Sequence, residues 1–190
     1  MNMEQLIDTL KEAPQKPEYV SFGTRLGASL LDVLILAPLN FGLTYWCLLY
    51  VKSYLLSLVP SLIGIVYKCY MEKKYGATFG KKIVGIKIVT EDLHALTDKA
   101  VLIRNYNYFA SFQLVLFTHY MLYTMPGFES VSTYMEAMQM QNNMPIIPKI
   151  TGYMIGLLFL VDCLLMINHT KNQTLHDRWA KTVVVKTKTL

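Results

Sequence analysis

The chain has 190 residues, of which 53% are hydrophobic and only 16% are charged, with a net charge of +5. A soluble domain of this length carries about 25% charged residues, so these proportions exclude an ordinary water-soluble globule and leave room for one folded unit embedded in a membrane. The basic residues form short stretches between long apolar runs. No folded basic domain is present to grip nucleic acid.

Residues 1–21 form a polar N-terminal segment with Glu4, Asp8, Glu12 and Glu18. Leu6, Ile7 and Leu10 are placed to line one short amphipathic helix before Pro14 and Pro17 stop it. No short apolar core with a small-residue cleavage site follows, so no signal peptide is expected. The first span is predicted at about 27–51, with a kink at Pro38, and is long enough to cross roughly 30 Å of hydrocarbon. Lys52-Ser53 makes a tight turn into a second span at about 54–71, where Pro60 is expected to make a second kink and Lys68 lies near the end. A polar stretch from Glu72 to Arg104 follows. The third span is predicted at about 105–125 and contains His119; a Met-rich loop, Pro126 to Pro148, leads to a fourth at about 149–168. Residues 188–190 are tail. No internal repeat is visible. Cys47, Cys69 and Cys163 all lie in apolar runs and read as small buried hydrophobes rather than a disulfide or metal framework.

Lys and Arg counts orient the spans. With the N-terminus inside, sixteen of the eighteen Lys and Arg fall on the cytoplasmic side, leaving Lys52 and Lys149 outside. Such a bias predicts four transmembrane helices with both termini in the cytoplasm, in an all-α, multi-pass cell-membrane protein. In a Gram-negative bacterium that would be the inner membrane. The basic inner face attracts anionic membrane lipid without any special site. Two cytoplasmic pieces alternate or are β-branched, about 84–89 and 182–186, and are expected to pair with each other because an isolated short strand is unstable.

Two carboxylates stand inside apolar runs, Asp32 in the first span and Asp162 in the fourth. A charge at the bilayer centre costs roughly 2.5–3.5 kcal/mol on insertion scales, so both are expected to face the bundle interior. Spacing from Arg25 and from Asn168 puts them at similar depth, with Lys68 slightly shallower. If they meet, one holds a proton or both bind a cation. Otherwise they pair with Lys68 or accept hydrogen bonds from neighbours and hold the bundle in register. Arg25 shares a helix face with Asp32 but leans away from it. Its natural partner is Asp177, which the strand pairing brings to the cytoplasmic surface as a tie or latch. On the outer side, Met135, Met138 and Met140 form a weak copper(I) candidate near His119, against the commoner role of Met as adaptable filler. No GxSxG, HExxH or Walker sequence is present, so no enzyme activity and no cofactor are expected.

Three ordered blocks carry a family resemblance: Phe22-Gly23-Thr24-Arg25-Leu26 with Asp32 seven residues after the Arg, Gly76-Ala77-Thr78-Phe79-Gly80-Lys81-Lys82 running into Ile83 to Val89, and Gln173-Thr174-Leu175-His176-Asp177-Arg178-Trp179 running to Val185. On these the chain resembles the RDD family of small, mostly prokaryotic membrane proteins, named for one arginine and two aspartates. The match assigns these to Arg25, Asp32 and Asp177, within an RDD-like domain at 22–187. Arg104 stands where the family commonly has a basic residue, and Lys181 where it often has Gly. The resemblance implies a helical membrane fold and a transport role, with cation/proton antiport attributed to some members. Two functions follow as expectations. One is a transporter or ion-handling subunit, a homo-oligomer using Asp32, Asp162 and Lys68 for a proton or monovalent cation. The other is a non-transporting scaffold that docks a partner on its basic face.

Overall fold

A computed structural model describes residues 17–167 and 170–189. The expected helix around Leu6, Ile7 and Leu10, and Asn168 at the end of the fourth span, lie outside the described residues. Helix α1, Phe22–Trp46, runs through Pro38 and continues as a π-turn, Cys47–Val51, to the left-handed Lys52. Helices α2, Tyr54–Ser57, and α3, Val59–Tyr75, meet at Leu58. Pro60 lies in the first turn of α3, where its missing N–H leaves no bond unmade, so this proline starts a helix rather than kinking one. Helix α3 ends at Gly76, whose φ of +66° suits the left-handed cap.

A six-residue helix, α4, Phe79–Val84, leads into strand β1, Ile86–Thr90. Helix α5, Asp98–Arg104, is capped by Thr97, whose hydroxyl accepts from the Ala100 N–H at 3.2 Å. Helix α6, Tyr106–Thr124, follows across Asn105. Helix α7, Tyr134–Asn142, has Thr133 as its cap and Glu136 in its first turn. Helix α8, Ile146–Ile167, precedes the short α9, Leu175–Trp179, and strand β2, Thr182–Lys186.

Strands β1 and β2 pair antiparallel, with Ile86 opposite Lys186, Ile88 opposite Val184 and Thr90 opposite Thr182. The expected pairing is present, shifted by about two residues in its first member. Tyr19 bridges Val185, and the Val20 N–H donates to the Val184 carbonyl at 3.1 Å, so the segment before α1 covers the other edge of β2.

Among the described residues, three segments are long and apolar enough to cross a membrane: Phe22–Val51, Tyr54–Tyr75 and Ile146–Ile167. Helix α6 occupies the place of the expected third span. Its 19 residues include Asn107, Gln113, His119 and four tyrosines, and it is not among the three. The apolar residues of the spans face outward, Leu34 being 68% and Tyr153 77% exposed. A monomeric soluble protein rarely shows such continuous apolar surface.

Among the described residues three small apolar clusters form, one of them Val89, Val183 and Val185 in the sheet. At the sheet end, Val20, Ala28, Ile86, Ile88, Val101 and Val184 pack together. At the far end, Leu49, Leu122, Phe128, Val131, Ala137 and Met144 do so, with Met121, Met125 and Met140 against them.

Candidate functional site

The polar residues buried in this bundle concentrate at the sheet end, and two short helices organise them. Helix α4 lies directly against α1. A Cβ at Gly80 would meet the Ala28 carbonyl oxygen at 2.1 Å and the Asp32 nitrogen at 2.9 Å, so only glycine permits this approach. The contact brings Asp32 to the N-terminus of α4. Its Oδ1 accepts from the Gly80 N–H at 2.8 Å and the Tyr67 hydroxyl at 3.1 Å, and its Oδ2 from the Thr78 hydroxyl at 2.5 Å. Asp162 does the same for α9. Its Oδ1 accepts from the Leu175 N–H at 2.5 Å and the His176 N–H at 3.4 Å, while His176 Nδ1 lies 2.6 Å from Oδ2. Each carboxylate thus answers free N–H groups and the positive end of a helix. Asp32 and Asp162 are held by different elements, and no hydrogen bond or ion pair joins them among the described residues. Lys68 bonds neither: its ammonium sits 4.0 Å above the Tyr108 ring.

Between the two short helices runs a chain of buried charges. Asp177, fully buried in α9, receives Arg25 on Oδ2 at 2.5 Å and Arg104 on Oδ1. Arg25 also donates to the Asn172 carbonyl at 2.7 Å, and Arg104 to the Thr182 hydroxyl at 2.5 Å. Arg104 Nε lies 3.7 Å from Glu72, whose carboxylate receives Lys81 at 2.6 Å and the Asn105 amide at 3.1 Å. The expected Arg25–Asp177 contact is one link in a series that ties α1, α3, α4, α5 and α9 together.

Burial by itself would push the Asp177 carboxyl up, but the Arg104 and Arg25 guanidiniums outweigh it and hold the group far below the usual carboxylate range. Burial alone would likewise push Arg104 down, and Asp177 and Glu72 keep it above the ordinary arginine value. Burial pushes the Lys81 ammonium down to about 8, against the pull of Glu72. A cluster of this kind is costly to break, because removing one partner strands another charge away from water.

In the sequence Glu72, Lys81 and Arg104 belong to the polar stretch after the second span. The structure puts Glu72 inside α3 at 1% exposure, with Lys81 and Arg104 buried beside it. The available signal was the pair Lys68 and Glu72, four residues apart and therefore on one helix face. At the far end, Ser57 Oγ lies 2.9 Å from His119 Nδ1. Met135 and Met138 are exposed, whereas Met140 packs against the far-end core. Among the described residues, no three His, Cys, Asp or Glu side chains gather so as to hold a metal ion.

The family model described as RDD family matches residues 19–181. No curated protein and no solved structure matches the chain.

Proposed function

The chain belongs to the RDD family, and from that premise we propose that it is a non-enzymatic, multi-pass protein of the cell membrane and of transport type. Four helices, α1, α2–α3, α6 and α8, cross the bilayer with both termini in the cytoplasm. The sheet end is then the cytoplasmic end, and the buried charge cluster is the inner gate. One observation carries this reading: four charged side chains, Asp177, Arg104, Glu72 and Lys81, are buried where the spans end, with the part-buried Arg25 paired to Asp177. Ion pairs that open and close are the usual material of two-state elements.

Asp32 and Asp162 clamp the two halves of this gate. Any ion taken up there, a proton or a monovalent cation, competes with the hydrogen bonds each carboxylate already accepts. Protonation weakens an acceptor's hold on a helix N-terminus, which would loosen α4 or α9. Four spans are few for a lone carrier, so a homo-oligomer in a lipid setting is part of the proposal.

A second reading is a non-transporting scaffold. It is favoured by the same caps, since a carboxylate occupied in holding a helix has a structural duty already. Lys82, over the Tyr75 ring at 3.4 Å, and the exposed Lys73 and Lys74 would then dock a partner.

The test is proton movement in reconstituted vesicles, read by an enclosed pH dye under imposed ion and solute gradients. Transport predicts flux in the native chain and its loss in Asp162→Asn. Absence of flux under every gradient, with a stoichiometric protein co-purifying from native membranes, would favour the scaffold.

A further inference from the structure

A serine or threonine hydroxyl inside a helix can turn back onto a carbonyl one turn earlier. Those of Thr118, Thr124 and Thr151 do so, at 2.9, 2.8 and 3.0 Å from the Leu114, Tyr120 and Ile147 oxygens. The hydroxyls of Thr44, Ser61 and Ser111 make no hydrogen bond among the described residues, and neither does the Asn40 amide, whose Oδ1 is buried. All four side chains line one cavity of about 300 Å³ among α1, α3 and α6. It has room for several waters or one small organic molecule, and it opens where Ser111 and Tyr108 are exposed. Hydrocarbon around the spans offers these groups nothing, so their partners must sit in the cavity itself.

The lining sets the charge of the occupant. No Asp, Glu, Lys, Arg or His side chain lines the cavity. The Lys68 ammonium, engaged by the Tyr108 ring at 4.0 Å, is not part of the lining. An ion of either sign would shed its water with no counter-charge in return. The hydrogen-bond roles narrow the choice further. Asn40 Oδ1 asks for a donor, Asn40 Nδ2 for an acceptor, and each Ser or Thr hydroxyl takes either role. An ether or a lipid tail would leave the Oδ1 unanswered. Hydroxyl groups match every position, because each one donates and accepts. Ile65 and Phe112 supply apolar wall for the carbons between them.

We infer that the cavity lined by Asn40, Thr44, Ser61 and Ser111 is a binding site for a small uncharged diol or polyol. One hydroxyl donates to Asn40 Oδ1, another exchanges hydrogen bonds with the hydroxyls across the cavity, and the carbon skeleton lies against Ile65 and Phe112. The site deepens the transport reading by giving it a solute class, and rests on that reading for movement alone.

The experiment uses the full chain in lipid nanodiscs, with binding followed by saturation-transfer NMR titration. The probes are 1,4-butanediol, its isomer 1,2-dimethoxyethane, which accepts hydrogen bonds but donates none, and the charged relatives 4-hydroxybutyrate and 4-hydroxybutylammonium. The diol should bind at least about tenfold tighter than the diether, the effect of one buried acceptor answered or left alone, and tighter than either ion. Asn40→Leu should bring the diol down to the diether. Ser61→Ala, a smaller change, should weaken the diol severalfold, and Ser111→Phe should block the cavity to both. Lys82→Gln, at the surface, should change nothing. Equal affinity for diol and diether would reveal a cleft that takes any chain, lipid tails included, and would overturn the inference. So would tighter binding of either ion, a diol preference that survives Asn40→Leu, or no diol binding at all. Diol binding without any flux in vesicles would remove the transport reading and leave this site. Proton flux without diol binding would do the reverse.

Discussion

The two helix–strand units at the sheet end are versions of one another built by opposite means. Thr174 lies 96 positions after Thr78, and both precede a short helix. The same interval relates Gly85 to Lys181, the left-handed residues at φ +73° and +51°, and Ile88 to Val184, which face each other in the sheet. A pseudo-twofold axis therefore passes between Ile88 and Val184. In each unit a carboxylate from a membrane-length helix caps the short helix, Asp32 for α4 and Asp162 for α9. The third helical position, however, is Lys81 in one and Asp177 in the other. The first unit is seated by backbone fit at Gly80 beside the single Lys81–Glu72 ion pair, and the second by two ion pairs at Asp177. The same local shape can thus be fixed by steric contact or by electrostatics, and the two fail differently.

The largest effect is expected where charge does the seating. Asp177→Ala strands Arg25 and Arg104 and should cost about 3–5 kcal/mol, read as loss of folded protein in detergent. Gly80→Ala forces α4 off α1 and should cost about 3 kcal/mol, the upper end of overpacking, with a lowered melting temperature insensitive to salt. Asp32→Asn removes charge-assisted bonds to Gly80 and Thr78 and should cost about 1.5–3 kcal/mol. An unchanged melting temperature there would show that the Gly80 fit alone seats α4. Acid sharpens the contrast further. Because Asp177 is held below its unfolded value, about 3.9, its contribution is fully present above that value and is lost as pH falls below it. Native stability should therefore drop below about pH 4 more steeply than that of Asp177→Asn. The smallest effect is a gain. Lys181→Gly relieves a left-handed lysine and should stabilise by about 1 kcal/mol, a shift of a few degrees in melting temperature.

Composition and patterning were enough to read the membrane class, the strand pair and the family. Depth periodicity and β-branching survive in any context, and the family blocks are contiguous. The repeat was not legible, because over the thirteen positions from Thr78 to Thr90 only Thr78 and Val89 have identical counterparts, Thr174 and Val185. The likeness lies in backbone conformation and cap placement, which one glycine and one lysine can equally adopt. The buried cluster was missed for another reason. Glu72, Lys81 and Arg104 are polar residues in a polar stretch, and only the extension of α3 to Tyr75 takes Glu72 inside. Asp32 and Asp162 stood out because their surroundings are apolar, but spacing along two helices gave depth without saying which neighbour each carboxylate meets.

The place of β2 between β1 and the segment at Tyr19 bears on how the protein is made. Synthesis runs from the N-terminus, so the segment at Tyr19, made before the membrane-length helices, waits for β2, made after them, before it can pair. Until then Arg25 and Arg104 lack Asp177, their shared anion. A chain that stops before Thr182 would keep the three membrane-length segments yet lose the whole of β2, and with it the strand that joins β1 to the segment at Tyr19.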